Sequence, residues 1–158
     1  MKATILGVDP GSRITGFGVI ESIGNGYRYI ASGSIHTNKE NPLRQIFLGL
    51  LEVVRNYQPT EAAIERIFMH ANVNSAIKLS QARGVAVVAS TYENIKLAEY
   101  SARQVKQAVV GYGNAEKNQV QYMVKLLLRL EKVLQEDEAD ALAVALCHAN
   151  SRTCIGLN

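Results

Sequence analysis

Short apolar runs of strand length and longer amphipathic stretches of helix length follow one another in a set order along this chain. Three apolar runs come first, at residues 3–9, 15–21 and 27–36. Glycine-bearing turn signals separate them, first Pro10-Gly11-Ser12 and then Gly24-Asn25-Gly26. Strands spaced this closely pair with their sequence neighbours, so the first third of the chain is predicted to form a β-meander.

After residue 41 the apolar spacing changes to the three-and-four pattern of an amphipathic helix. Further strands then alternate with helices, an order that is typical of parallel pairing. The predicted helices span about 42–58, 72–90, 102–109, 115–130 and 137–150, and the predicted strands span about 61–68 and 97–101. The predicted fold class is α/β, a mixed sheet of five strands with helices on both faces.

The length of 158 residues suits one domain, expected over 1–150, followed by a short C-terminal tail at 151–158. Hydrophobic residues at 47% and charged residues at 20% exclude an intrinsically disordered chain. Apolar runs fall short of the roughly 18 residues of a membrane span, and the first residues lack the pattern of a signal peptide. Two cysteines, Cys147 and Cys154, cannot form a disulfide framework, so we expect a cytoplasmic protein.

Charge is distributed unevenly along the second half of the chain. Residues 96–132 contain seven basic and three acidic side chains, whereas residues 133–158 contain four acidic and one basic. A basic segment beside an acidic cluster is typical of a protein that holds a polyanion and a cation side by side. Two solvated faces of opposite charge would give the same pattern.

Two carboxylates stand at or within predicted strands. Asp9 directly follows a buried strand, and ligands of α/β proteins bind beyond the carboxyl ends of strands. The sequence Asp-Pro-Gly also suits a turn in which the aspartate bonds its own backbone. Glu65 interrupts an apolar strand, where an unpaired buried carboxylate costs on the order of several kcal/mol. Because Arg66 points to the other face, Glu65 faces a functional cleft or the strand lies at a solvated edge.

Asp137 and Asp140 lie three residues apart at a predicted helix start and therefore share one face. Acids in a first helical turn also stabilise the helix dipole, which by itself explains the acidic cluster. Several carboxylates gathered in one place stay ionised only with cations between them, and oxygen ligands suit Mg²⁺ or Mn²⁺. Two such ions about 3.5–4 Å apart activate a water and stabilise the leaving oxygen of a phosphodiester.

Six sequence blocks in register extend this pattern over nearly the whole chain. They are ILGVDPGSRITGFGV at 5–19, IERIFM at 64–69, KLSQARGVA at 78–86, YSARQVKQ at 100–107, GNAEKNQV at 113–120 and DEADALA at 137–143. These blocks resemble the RuvC family of Holliday junction resolvases, which are crossover junction endodeoxyribonucleases. The resemblance implies a ribonuclease-H-like fold.

The resemblance also implies an activity, a cofactor and partners. The activity is symmetric hydrolysis of four-way DNA junctions, which leaves 5′-phosphate and 3′-hydroxyl nicks in recombination and DNA repair. The implied catalytic and metal-binding acids are Asp9, Glu65, Asp137 and Asp140. The implied cofactor is Mg²⁺, replaceable by Mn²⁺, with two ions per active site. A homodimer and a RuvA–RuvB branch-migration complex are the implied protein partners.

Four residues match family positions for DNA contact. Lys117 stands at a predicted helix start with Asn114 as its N-cap, where free N–H groups favour a phosphate. Arg103 and Lys106 share one helical face and are expected to contact phosphates. Phe68 is expected to contact a base, since aromatic side chains stack on bases. Without the resemblance, solvated cations and a core phenylalanine would be the ordinary interpretations.

The helix predicted at 72–90 is the expected homodimer interface, because its small residues permit close approach. Those small residues are Ala76, Ala82, Gly84 and Ala86. Packing of the same residues against the sheet within one chain is the other interpretation. A homodimer with two identical sites would suit the near two-fold symmetry of a four-way junction.

Other functions remain open from the sequence. An actin-like or sugar-kinase ATP-binding protein has a similar opening motif but needs two such domains, more than 158 residues supply. A ribonuclease-H-fold nuclease that acts on RNA shares the acids, although the matches at Phe68, Lys106 and Lys117 argue against it. A non-catalytic junction-binding module would gain nothing from clustered negative charge.

Overall fold

The structure, a computed structural model, describes residues 2–67 and 72–155, and among these the side chains of 153–155 are left aside. Its strands are β1 (Ala3–Asp9), β2 (Ile14–Ile23), β3 (Gly26–His36), β4 (Glu61–Glu65) and β5 (Lys96–Tyr100). Its helices are α1 (Pro42–Tyr57), α2 (Val73–Thr91), α3 (Ala102–Val110), α4 (Lys117–Leu128) and α5 (Glu136–Ile155). Within the described ranges, none of the helices has the length and hydropathy that a membrane crossing requires.

The strands form one mixed sheet in the order β3-β2-β1-β4-β5. β1, β2 and β3 form the predicted antiparallel meander, whereas β4 and β5 run parallel to β1. Val8 lies opposite Ile64 in the β1–β4 register, so Asp9 and Glu65 take the next positions on neighbouring strands. The parallel arrangement thereby brings both predicted acids to the carboxyl ends of neighbouring internal strands, on the same side of the molecule.

Helices cover both faces of the sheet, and the α/β prediction is confirmed. On one face, Leu6 and Ile64 of the sheet pack in a core with α1 and α2. On the other face, Ile5 and Ala63 pack in a core with α3, α4 and α5. The sheet residues alternate between the two cores because successive side chains of a strand point to opposite faces.

Helix α5 packs closely on three glycines of β1 and β2, with its backbone directly over two of them. A Cβ atom added at Gly7 would lie 2.1 Å from the carbonyl oxygen of Ala141, and one added at Gly16 would lie 2.1 Å from that of Asp137. Gly18 has the side chain of Leu142 over it. We call Gly7, Gly16 and Gly18 the glycine floor. It lets the first turn of α5 approach the end of β1, since Gly16 pairs with Asp9.

Strand β4 is shorter than predicted. It ends at Glu65, whereas the sequence suggested a strand to residue 68. The β1–β4 ladder stops at Ile64 and the β4–β5 ladder stops at Tyr100, so beyond Glu65 no neighbouring strand is left to continue either ladder. Because β4 lies between β1 and β5, the interpretation of Glu65 as a solvated edge residue is wrong.

Two helix ends also differ from the sequence prediction. Helix α4 begins at Lys117, and its N-cap is Glu116 rather than Asn114. The side chain of Gln119 accepts a hydrogen bond of 2.8 Å from the Glu116 N–H, as in a capping box. Helix α5 extends to Ile155 instead of ending near residue 150, because the sequence offers no glycine or proline before Gly156 to end it.

Candidate active site

Asp9 stands at the end of β1, and a closed turn follows it. The Thr15 hydroxyl donates a hydrogen bond of 3.0 Å to the carbonyl oxygen of Gly11, and Thr15 itself is fully buried. Because Thr15 closes the turn, the Asp9 carboxylate is not needed for that purpose. The interpretation of Asp9 as a turn-forming aspartate is therefore not required by the structure.

The electrostatics of Asp9 show which groups surround it. Burial is the largest cause of a rise in the pKa of Asp9 to about 7, from an ordinary value of 3.8. The charges of three further acids raise it too, namely Asp140, Glu65 and Asp137. Asp9 therefore lies within electrostatic reach of the three other predicted acids.

Glu65 and Asp140 line one cleft of about 220 Å³ between β4, α3, α4 and α5. Burial and the charge of Asp140 raise the pKa of Glu65, while Lys106 and Lys117 act in the opposite sense. Burial is also the main cause of the raised pKa of Asp140. Both carboxyl groups are therefore held in a partly dehydrated cleft that disfavours their negative charge.

Asp137 and Asp140 reach this region from the first turns of α5. The carbonyl oxygen of Asp137 lies over Gly16, which is paired with Asp9 across the β1–β2 ladder. The glycine floor therefore sets the distance between the acids of α5 and the acid of β1.

Lys117 is the main cation of the cleft. Its ammonium group forms ion pairs with Asp140, over 2.9 Å, and with Glu136. Burial lowers the pKa of Lys117, but these two pairs together raise it by more. Lys106 lines the same cleft. The sequence had predicted both lysines as phosphate contacts, but it gave no sign that Lys117 would pair with one of the acids.

The other two predicted DNA contacts lie elsewhere. Arg103 is exposed and lines a separate cavity of about 450 Å³ beside Cys147 and Ser151, away from the carboxylates. Its placement three residues before Lys106 did not bring the two side chains into one cleft. Phe68 lies outside the described residues.

The residues present suit a hard divalent cation in their chemistry. The cleft offers carboxylate oxygens, which Mg²⁺ and Mn²⁺ prefer. The raised pKa of Asp9 reflects burial first and repulsion by the other acids second, and a bound cation would relieve that repulsion. In the described part of the chain, no three His, Cys, Asp or Glu side chains are close enough together to enclose one ion. The carboxylates are neighbours in this conformation, therefore, without forming a closed coordination shell.

A second polar network joins α5 to the sheet, and sequence analysis missed it. Glu61 Oε2 lies 2.6 Å from His148 Nε2 and 2.7 Å from Arg152 Nε. The Tyr100 hydroxyl lies 2.7 Å from His148 Nδ1. These residues tie α5 to β4 and β5. Glu61 and His148 are 87 positions apart, so only the tertiary fold brings them together.

Comparison with known proteins identifies the family of the chain. A family model described as crossover junction endodeoxyribonuclease RuvC matches residues 5–148. The crossover junction endodeoxyribonuclease RuvC of Shewanella pealeana is 58% identical over 149 residues, which cover 92% of this chain and 86% of that protein.

Solved structures give the same result for the fold. RuvC of Thermus thermophilus, in complex with a Holliday junction substrate, superposes with a TM-score of 0.90 at 30% identity and covers 96% of both chains. The yeast mitochondrial Holliday junction resolvase superposes with a TM-score of 0.66 at 9% identity, over 92% of this chain and 78% of its own, and supports the fold alone. The ribonuclease-H-like fold expected from the sequence is confirmed.

Proposed function

Because the chain belongs to the RuvC family of crossover junction endodeoxyribonucleases and is a metal-dependent endonuclease that resolves Holliday junctions, we propose that its four clustered acids form the catalytic centre. These acids are Asp9, Glu65, Asp137 and Asp140. The observation that supports the proposal best is the placement of these acids on neighbouring elements. Asp9 and Glu65 follow the paired residues Val8 and Ile64 on adjacent strands, and the Asp137 carbonyl oxygen lies over Gly16, the strand partner of Asp9.

We propose Mg²⁺ as the natural cofactor, replaceable by Mn²⁺, with two ions per site. Bound divalent ions would supply positive charge that activates a water and stabilises the departing 3′ oxygen of the DNA strand. Asp9 would hold both ions from the end of β1. Glu65 would hold one ion from β4, and the pair on α5, Asp137 and Asp140, would hold the other.

The protonation of Asp9 is part of this proposal. In the metal-free protein Asp9 is half protonated near pH 7, because burial and neighbouring acids disfavour its charge. A carboxyl group must lose its proton before it holds a cation, so binding of the ion releases a proton. Lys117 partly neutralises Asp140 until then through their ion pair of 2.9 Å.

The lysines of the cleft are proposed to hold the DNA backbone. Lys106 and Lys117 line the cleft beside Glu65 and Asp140, where an incoming phosphate would approach the acids. Arg103 lies at a separate cavity, so we propose that it contacts DNA outside the cleft, if the duplex extends over α3. Phe68 is proposed to contact a base of the junction.

We further propose that the chain acts as a homodimer through α2. The small residues named from the sequence are largely used within the chain, since Ala76, Ala82 and Ala86 are buried. A separate apolar stripe faces outward on the same helix. It consists of Val73, Ile77, Gly84 and Val88, at spacings of four, seven and four residues, which place its members on one helical face. Val73 is the most exposed of its three large apolar side chains, at 74%.

Two copies of this stripe would bury each other's apolar side chains, and the resulting dimer would present two identical active sites, one from each chain. A four-way junction has two symmetric strands to cut, so such a dimer suits its substrate. By its family, we propose that the protein acts with a RuvA–RuvB branch-migration complex in the cytoplasm.

The experiment compares cleavage of a four-way DNA junction, the linear duplexes of the same sequence and an RNA–DNA hybrid in Mg²⁺. We expect the junction to be cut in preference to the others, and we expect the products to be closed by a DNA ligase because they carry 5′-phosphate ends. The Asp140→Asn variant should lose cleavage, whereas Glu131→Gln, an exposed acid outside the cleft, should retain it. Equal cutting of all three substrates would contradict junction selectivity.

A further inference from the structure

Glu138 stands between two proposed catalytic acids in sequence, yet its side chain points away from their cleft. Successive residues of a helix are turned by about 100°, so a residue two positions before Asp140 faces nearly the opposite side. The Glu138 side chain is only 11% exposed, and both of its oxygens have partners. A buried carboxylate with this many contacts has a role that the acidic cluster alone does not explain.

One oxygen of Glu138 joins α5 to the edge strand β3. The Ser32 hydroxyl donates a hydrogen bond of 3.0 Å to Glu138 Oε1. Lys132 Nζ lies 3.5 Å from the same oxygen and 5.0 Å from the centre of the Tyr29 ring. We call Glu138, Ser32, Lys132 and Tyr29 the β3 latch. Through it, the first turn of α5 is fastened to a strand that lies outside the catalytic cleft.

The other oxygen of Glu138 caps the start of α5. The backbone N–H of Gln135 donates a hydrogen bond of 2.9 Å to Glu138 Oε2. Gln135 immediately precedes the first residue of the helix, and an acid three positions later that bonds this N–H forms one half of a capping box. Glu138 therefore fixes both the first turn of the helix and the position of that turn on the sheet.

The first turn of α5 needs such an anchor because it holds the proposed metal ligands Asp137 and Asp140 against the sheet. The Asp137 carbonyl oxygen lies over Gly16, the strand partner of Asp9, so a small shift of this turn changes the distance between the acids of α5 and Asp9. The ends of helices are also the parts that open most readily, because their first N–H groups lack partners within the helix.

We infer that Glu138 is a positioning residue for the cleavage reaction: the β3 latch holds the first turn of α5 where Asp137 and Asp140 can share a divalent ion with Asp9. The inference rests on the metal-holding role proposed above for these acids. Glu138 has protein groups as partners of both its oxygens, so its role would be to place the helix rather than to hold the ion or the DNA.

Binding of Mn²⁺ to the DNA-free protein, followed by electron paramagnetic resonance, tests the inference without relying on cleavage. Glu138→Ala should weaken Mn²⁺ binding about tenfold, as loss of groups that orient metal ligands commonly does. Glu138→Gln keeps a carbonyl oxygen that can accept a hydrogen bond, so it should bind Mn²⁺ more tightly than the alanine variant. Glu131→Ala removes the same charge from the preceding loop and should leave Mn²⁺ binding unchanged.

Ser32→Ala provides a second test that leaves the helix cap intact, in case Glu138→Ala does not fold. It should weaken Mn²⁺ binding in the same direction by a smaller factor. Two results would overturn the inference: normal Mn²⁺ binding in the latch variants despite a lower melting temperature, or equal damage from Glu138→Gln and Glu138→Ala. Failure of the unsubstituted protein to bind Mn²⁺ would overturn the proposed function as well, whereas normal binding in all variants would overturn the latch alone.

Discussion

Replacing Asp9 with asparagine should make the metal-free protein more stable while it abolishes cleavage. The Asp9 carboxyl group has a pKa of about 7 in the folded protein, against an ordinary value of 3.8, chiefly because it is buried. The native state therefore binds this proton more tightly than the unfolded state does. Stability is lost as the pH rises from about 4 to about 7, the opposite of the usual behaviour of a carboxylate held by a salt bridge.

The size of the effect follows from the two pKa values. A difference between 3.8 and about 7 corresponds to about 4 kcal/mol above pH 7, at about 1.4 kcal/mol per pH unit. The asparagine side chain cannot become charged, so the variant avoids this cost. We expect the difference in unfolding free energy between Asp9→Asn and the unsubstituted protein to grow by about 4 kcal/mol at most between pH 4 and pH 8.

Urea denaturation followed by circular dichroism, in the presence of EDTA at each pH from 4 to 8, measures this difference. Glu52→Gln is a suitable control, because Glu52 is an exposed acid on α1 far from the cleft. Junction binding by Asp9→Asn should survive without cleavage. A difference in unfolding free energy that stays constant across the pH range would refute the view that Asp9 is buried among other acids.

Three further predictions concern the cleft, the glycine floor and the dimer. Lys117→Ala should slow cleavage and reduce the slope of log affinity against log salt for junction binding by about 0.9, the contribution of one phosphate contact. The control variant Lys125→Ala should leave cleavage unaffected. An unchanged slope for Lys117→Ala would count against that contact. Gly16→Ala should lower the unfolding free energy by about 1–3 kcal/mol and impair cleavage, because the Cβ atom of the new alanine would lie 2.1 Å from the Asp137 carbonyl oxygen. Normal cleavage at full stability would contradict this close packing. Val88→Glu should convert the dimer to monomers in sedimentation equilibrium and reduce paired cutting, and a dimer that persists would place the interface elsewhere.

The position of Asp9 at a strand end and that of Glu65 within an apolar strand could be predicted from the sequence, because strand periodicity and burial cost are local properties. The sequence left a turn-forming Asp9 and a solvated Glu65 as alternatives, whereas the parallel register of β1 and β4 places the two acids side by side. The fold class followed from the same periodicity, since three closely spaced strands followed by alternating helices and strands permit few arrangements.

The partners of charged side chains could not be predicted, because they depend on contacts between distant elements. Lys117 pairs with Asp140 from another helix, and Glu138 reaches Ser32 across 106 positions of sequence. Local spacing was misleading for Arg103, which shares a helix with Lys106 but not its cleft. The end of β4 depended on where its neighbours stop, which the strand's own residues do not encode.

The glycine floor has a consequence for which of the four acids near the start of α5 can act in the cleft. Since the helix backbone touches the sheet at Gly7 and Gly16, α5 has one rotational setting at which it fits. A rotation by one residue would drive a side chain into the sheet. The shape of β1 and β2 therefore selects Asp137 and Asp140 for the cleft and turns Glu138 towards β3. The glycine floor, which has no side chains of its own, thus decides the different roles of chemically similar neighbours.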